Sequence, residues 1–192
     1  MAATESTRDR ILTAATAEFA RHGIAGARVE RIAKAARTSK ERVYAHFGSK
    51  DELYRFVAAR ELTAMAAAVP LDPADLPGYA VRLHDHVVAH PERLRLMRWG
   101  QLELSPDDTP PDDPFRTVVA GKVAQLRRAQ RSGVVDPDWD PVDVLVFVSQ
   151  LATSWADQGD QVAAGPERDA FLAARRRAIE TAVQRLFPGA AD

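Results

Sequence analysis

The 192-residue chain contains no cysteine. Disulfides and cysteine-ligated metals are therefore excluded. Apolar runs are short: none reaches the roughly 18 residues that a membrane span needs. The opening "MAATESTRDR" lacks the apolar core of a signal peptide. The expectation is a soluble, cytoplasmic protein. Catalytic motifs are missing too. There is no HExxH, GxSxG, P-loop or GxGxxG pattern, and the His and Asp residues are scattered without a nucleophile at a workable spacing. No enzyme activity, catalytic residue or cofactor is expected. His84, His86 and His90 invite a metal reading, since His86 and His90 stand four apart. No third ligand accompanies them, and His90-Pro91 reads as a helix junction, so no metal site is expected. The acidic "PDDTPPDD" lacks the spacing of a calcium loop and reads as a solvated connection.

Apolar residues make up 46% of the chain, enough to bury a core. The length suits one domain of moderate size, or a small module fused to a larger one. The net charge of -1 hides an asymmetry. Residues 1–50 hold ten Lys/Arg and five Asp/Glu, a net of +5; residues 51–192 hold sixteen and twenty-two, a net of -6. A basic head on an acidic body suggests a head that meets a polyanion.

The apolar periodicity is helical almost throughout. It predicts helices at about 8–21, 28–36, 39–47 and from the "GSKDE" reset near residue 50 to 69. Further helices are predicted at about 78–89, 91–104, 115–132, 141–157 and 166–187. Gly23 is placed to end the first, and Ser49 with Glu52 has capping-box spacing at the fourth. Proline repeatedly stands where a helix can begin. The fold class expected is all-α, with about nine helices and no internal repeat. "PVDVLVFVSQL" is rich in β-branched residues, but a lone strand has nothing to pair with, so helix is preferred. Such a helix is apolar on every side and must be covered on every side. A central position in the monomer and a second subunit both satisfy that.

Three short helices with tight turns, the last two separated by "ARTS", form a helix-turn-helix pattern. Helix 39–47 turns Val43 and Phe47 inward and leaves Lys40, Arg42, Tyr44, Ala45 and His46 for the outer surfaces. Arg42 is the best candidate base reader, since an arginine there can bond guanine O6 and N7 together. Lys50 opens the fourth helix, where an ammonium and helix amides can grip one phosphate. Arg28, Arg37, Lys40 and His46 are candidate backbone contacts. Ser39 or Thr38 caps the helix, and Glu41 fits a capping box with Thr38 better than a base contact.

The stretch "RILTAATAEFARHGIAGARVERIAKAARTSKERVYAHFGSKDELY" resembles the DNA-binding domain of the TetR family of bacterial transcriptional repressors. The likeness covers about residues 10–54, through "ILTAA…FARHG", "VERIAKAA", "SK…VY.HF.SK" and "KDELY". It implies an all-α homodimer with a DNA-binding domain at 1–50 and an effector-binding and dimerisation domain at 51–192. The pairing surface would be the last two helices, about 141–157 and 166–187. Tyr44 matches the family's tyrosine, which implies a backbone or thymine-methyl contact, and Ser39 joins the DNA-facing set. The chain departs from the family at Arg37 and Thr38, where Gly and a β-branched residue are usual. It departs again at Glu41 and Arg42, and at Ala27 and Arg28. The resemblance also implies a small-molecule effector pocket, with Met97, Trp99, Phe115, Phe147 and Trp155 as candidate lining; plain core is the alternative for each. A near-palindromic operator and release by population shift complete the implied mechanism. Two other readings stay open: a DNA-binding or interaction module without an effector, and an activator.

Overall fold

The computed structural model describes residues 6–105, 113–156 and 167–188. Among them are nine helices and no strand. They are α1 (Thr7–Gly26), α2 (Val29–Ala35), α3 (Lys40–Phe47), α4 (Lys50–Ala68), α5 (Leu76–Ala89), α6 (Pro91–Glu103), α7 (Pro114–Arg131), α8 (Pro141–Thr153) and α9 (Glu167–Leu186). The helix ends expected at Asp157 and Pro166, and most of the loop "SPDDTPPDDP", lie outside the described residues.

Local chemistry explains where the helices start. Ser6 caps α1 by accepting from the Asp9 amide at 3.1 Å. Ser49 and Glu52 form the expected capping box at α4, each side chain taking the other's amide at 3.1 Å. Asp75 takes the Gly78 amide at α5, and Asp140, ahead of Pro141, takes the Val142 amide at α8. Gly23 has φ 71° and ψ -177°, which breaks α1 and adds a short turn after the break. "PVDVLVFVSQL" is helical. It buries Val144, Leu145, Val148 and Ala152, but leaves Val142, Val146 and Phe147 exposed.

The chain divides into two compact units. The first runs to Ala64 and includes Glu92–Pro114; the second is Met65–Pro91 with the residues from Phe115 onward. Most of α4, and α6 from Glu92 onward, fall in the unit that holds the basic head.

The core of the first unit is built from Ile11, Ala15 and Phe19 of α1, Ile32 of α2, Val43 and Phe47 of α3, Leu53, Tyr54 and Val57 of α4, and Leu96 of α6. Phe19 meets Tyr54 edge to face, with centroids 5.4 Å apart. Truncating so enclosed a ring as Phe19 costs about 3–5 kcal/mol. In the second unit α5 packs against α8 and α9. Tyr79, Leu83, Val87, Leu126, Val144, Val148, Ile179 and Val183 are buried there. His84 is also buried, with Nδ1 3.0 Å from the Ala152 carbonyl oxygen. No group of three side chains able to hold a metal occurs among the described residues, and no helix there is long and apolar enough to cross a membrane.

Candidate nucleic-acid interface

The turn between α2 and α3 is closed by backbone bonds. The Ala36, Arg37 and Thr38 amides return to the carbonyls of Ile32, Lys34 and Ala33 at 2.8, 3.2 and 2.9 Å. Arg37 sits in the left-handed region at φ 52°. A side chain there costs about 1 kcal/mol relative to glycine. The turn delivers Ser39 to the start of α3, and its hydroxyl accepts from the Arg42 amide at 3.3 Å. The expected capping box between Thr38 and Glu41 does not form, because the cap falls one residue later. Thr38 Oγ1 is buried without a partner among the described residues. Glu41 bonds its own amide and the Ser39 hydroxyl, which together hold its carboxyl below the usual range.

α3 buries Val43 and Phe47 and exposes Lys40, Arg42, Tyr44, Ala45 and His46. Its outer face is therefore the donor-bearing face foreseen from the spacing. The Arg42 guanidinium has no partner among the described residues, so its planar fork is available. Lys40 pairs with Glu30. Its hydrogen bond to Glu30 raises the ammonium pKa and lowers that of the carboxyl. The same ammonium lies 5.9 Å from the Tyr44 ring centre. Arg28 and Arg37 are exposed. Arg28 is the cap residue of α2, which starts at Val29 rather than at about residue 28. Ser39 is a helix cap by geometry. Lys50 is half-buried, and its ammonium donates to the carbonyls of Ala25 and Ala27 at 3.2 and 3.5 Å.

Three supporting residues were not legible in the motif. Glu18 takes the Arg28 amide at 2.9 Å and Arg31 Nε at 2.7 Å. It so supplies the acceptor that α2 lacks at its own cap. Burial, the largest influence on Glu18, pushes its pKa up; the bonds from Arg31 and the Arg28 amide outweigh it and leave the net shift downward. Arg8 lies 5.5 Å from the ring centres of both Phe47 and Phe56, which holds a cation beside the end of α3. Glu103, at the end of α6, accepts from the amides of Ile24 and Ala25 at 3.2 and 2.6 Å. Its distance along the chain hid it.

Of the five aromatic and methionine candidates, Met97 and Trp99 belong to the first unit and Phe115, Phe147 and Trp155 to the second. Met97 packs on the first unit's core. Trp99 donates from Nε1 to the Ala20 carbonyl at 3.4 Å and covers Gly23, where a Cβ would come within 3.1 Å of the indole. In the second unit, Phe115 and Phe147 are 49% and 43% exposed. Phe147 meets Trp139, whereas Trp155 meets Phe171. A cavity of about 220 Å³ in that unit is lined by residues such as Leu76, Val135 and Phe187, and by none of the five.

A family model described as "Bacterial regulatory proteins, tetR family" matches residues 11–57, and one described as "Tetracyclin repressor-like, C-terminal domain" matches 75–185. The chain belongs to the TetR family of transcriptional regulators. Relatives agree along most of its length. The HTH-type transcriptional repressor SCO4008 of Streptomyces coelicolor is 43% identical over 152 residues, covering 79% of each chain. The HTH-type transcriptional repressor AcnR of Corynebacterium efficiens is 28% identical over 169 residues, 80% of this chain and 86% of its own. The crystal structure of SCO4942 from Streptomyces coelicolor, named as a transcriptional regulator, is 54% identical and superposes with a TM-score of 0.80 over 95% of this chain and 99% of its own.

Proposed function

We propose that this TetR regulator is a cytoplasmic repressor that binds a near-palindromic operator as a homodimer and leaves it when a small molecule binds the helical body. The observation that carries the reading is α3 itself: Val43 and Phe47 are anchored in the core while Arg42, without a partner among the described residues, faces outward. The repressors SCO4008 and AcnR support the direction of control. Residues 1–50 carry the DNA-binding surface and residues 51–192 the effector and dimer functions. Arg42 reads a base; Tyr44 contacts backbone or a thymine methyl. Arg28, Arg37 and His46 contact phosphates, and Arg8 adds a cation not foreseen in the motif. Lys40 reaches DNA by exchanging Glu30 for phosphate. Lys50 keeps a donor for phosphate while it holds the α1–α2 turn.

The exposed Val142, Val146 and Phe147 of α8 and Leu186 of α9 support pairing through the last two helices. Effector control acts on the head through a shift in population, and the ligand moves it only by its unequal affinity for the two states. The Glu103 and Trp99 contacts of α6 with the α1–α2 turn support α6 as the element that carries the change to the head.

The test is selection of sites from a random DNA pool by purified protein, repeated with Arg42→Ala. The expected result is an enriched palindrome with half-sites about one helical turn apart. Arg42→Ala should erase preference at one base pair in each half-site, worth about 1–3 kcal/mol. An unchanged palindrome would move Arg42 to the backbone; no enrichment would sink operator recognition.

A further inference from the structure

Arg175 of α9 is held in an aromatic corner of the second unit. Its guanidinium carbon lies 4.8 Å from the ring centre of Trp155 and 5.2 Å from that of Phe171. The two rings meet edge to face at 5.9 Å. Arg175 Nε is buried and has no hydrogen-bond partner among the described residues. Its neighbour Arg176 is different, since its Nε donates to both oxygens of Asp85 at 3.2 and 3.1 Å. A guanidinium presents five donors in a fixed fork. Ring faces offset part of its desolvation, but they do not replace the hydrogen bonds that a charged donor loses on burial.

The corner is turned inward. Phe171 and Arg175 precede the buried Ile179 and Val183 at four-residue steps along α9. Trp155 follows the buried Val148 and Ala152, and the helical twist continues past the end of α8 through Ser154. The outward face of α8, with Val142, Val146 and Phe147, is a different one. Arg175, Trp155 and Phe171 are each half-buried and lie on the side of their helices that leads to the buried residues, away from Val142, Val146 and Phe147.

We propose that Arg175 is the anchor for the carboxylate of a small, apolar monocarboxylic acid, with Trp155 and Phe171 walling its apolar body. This rests on the reading that the body takes an effector. A carboxylate matches the planar fork with two parallel hydrogen bonds. One guanidinium balances one negative charge, and aromatic walls disfavour a doubly charged, strongly hydrated ion such as phosphate.

The experiment is calorimetric titration of the full chain with octanoate, phenylacetate and 2-naphthoate, each against its primary amide. At least one acid is expected to bind about tenfold or more tightly than its amide. Arg175→Met should abolish that difference, while Arg175→Lys, which keeps the charge without the fork, should retain part of it. Thermal melting and binding to the selected operator report whether each variant is folded. If Arg175→Met does not fold, the acid-against-amide comparison on the unaltered chain and on Arg175→Lys still decides. The proposal is overturned if acids and amides bind alike, if Arg175→Met keeps the preference for acids, or if no acid binds. Operator release is read separately. Acids that bind through Arg175 without loosening DNA would sustain the anion site and sink effector control. Release by neutral compounds that ignore Arg175 would do the reverse.

Discussion

Tyr54 donates its hydroxyl to the Leu96 carbonyl at 2.8 Å inside the first unit. Gly100, one turn further along α6, stands against the same oxygen: a Cβ there would collide with the hydroxyl and lie 3.1 Å from the ring carbon that bears it. Gly100→Ala should therefore destabilise the chain by about 1–3 kcal/mol through overpacking. Adding Tyr54→Phe removes the colliding atom, so the double variant should be more stable than the sum of the single changes predicts. Urea unfolding of the four proteins measures the coupling, and strict additivity would show that the two sites do not meet. Burial also pushes the Tyr54 phenol up from 10.0 to about 12. The folded state thus resists ionisation that the unfolded state accepts. The stabilising contribution is complete below pH 10 and fades as pH rises from 10 towards 12. At pH 11 the loss should be about 1 kcal/mol, and Tyr54→Phe should lack it. Comparing urea midpoints at pH 9 and pH 11 for both proteins tests this against the other groups that titrate there.

At the scale of elements, helical period and punctuation made most of the fold legible. Gly23, Ser49, Glu52, Pro91 and Pro141 mark ends by local chemistry, which needs only neighbours in sequence. The start of α2 was weakly marked because its acceptor comes from Glu18, ten residues away. The cap of α3 had two candidates of similar chemistry, and the turn geometry through Arg37 chose Ser39. Lys40 and Lys50 were legible as cations, but their partners Glu30, Ala25 and Ala27 depend on tertiary packing. Pocket lining was the least legible feature, since an aromatic at helical spacing looks the same in a core, on a surface or in a cavity. α8 illustrates this: its sequence shows an apolar helix, and only the packing separates the buried Val144 and Val148 from the exposed Val146 and Phe147. If that exposed face joins two subunits, Val146→Glu should place like charges across the contact without disturbing the monomer core. Sedimentation should then show a shift from dimer to monomer with helix content kept. A dimer unchanged at micromolar concentration would locate the interface elsewhere.

At the scale of the whole molecule, the charge separation predicts how DNA binding responds to salt. The head carries +5 and the remainder -6. Cations that replace counterions on phosphate give log affinity a slope of about -0.9 per contact against log salt concentration. A homodimer doubles every contact, so removing one phosphate-bound arginine should reduce the slope by about 2. Arg37→Ala belongs to that class, and the variant also leaves a non-glycine residue in the left-handed turn, so its backbone strain is unchanged in kind. Lys50→Met makes the contrast. Its ammonium already joins the α1–α2 turn to α4 through Ala25 and Ala27, so its loss should lower thermal stability as well as affinity. Titrating the selected operator at several salt concentrations, with melting curves for each variant, separates the two roles. A slope near zero in the unaltered protein would remove phosphate contacts as the source of affinity. A slope unchanged by Arg37→Ala would leave the exposed guanidinium of Arg37 outside the interface.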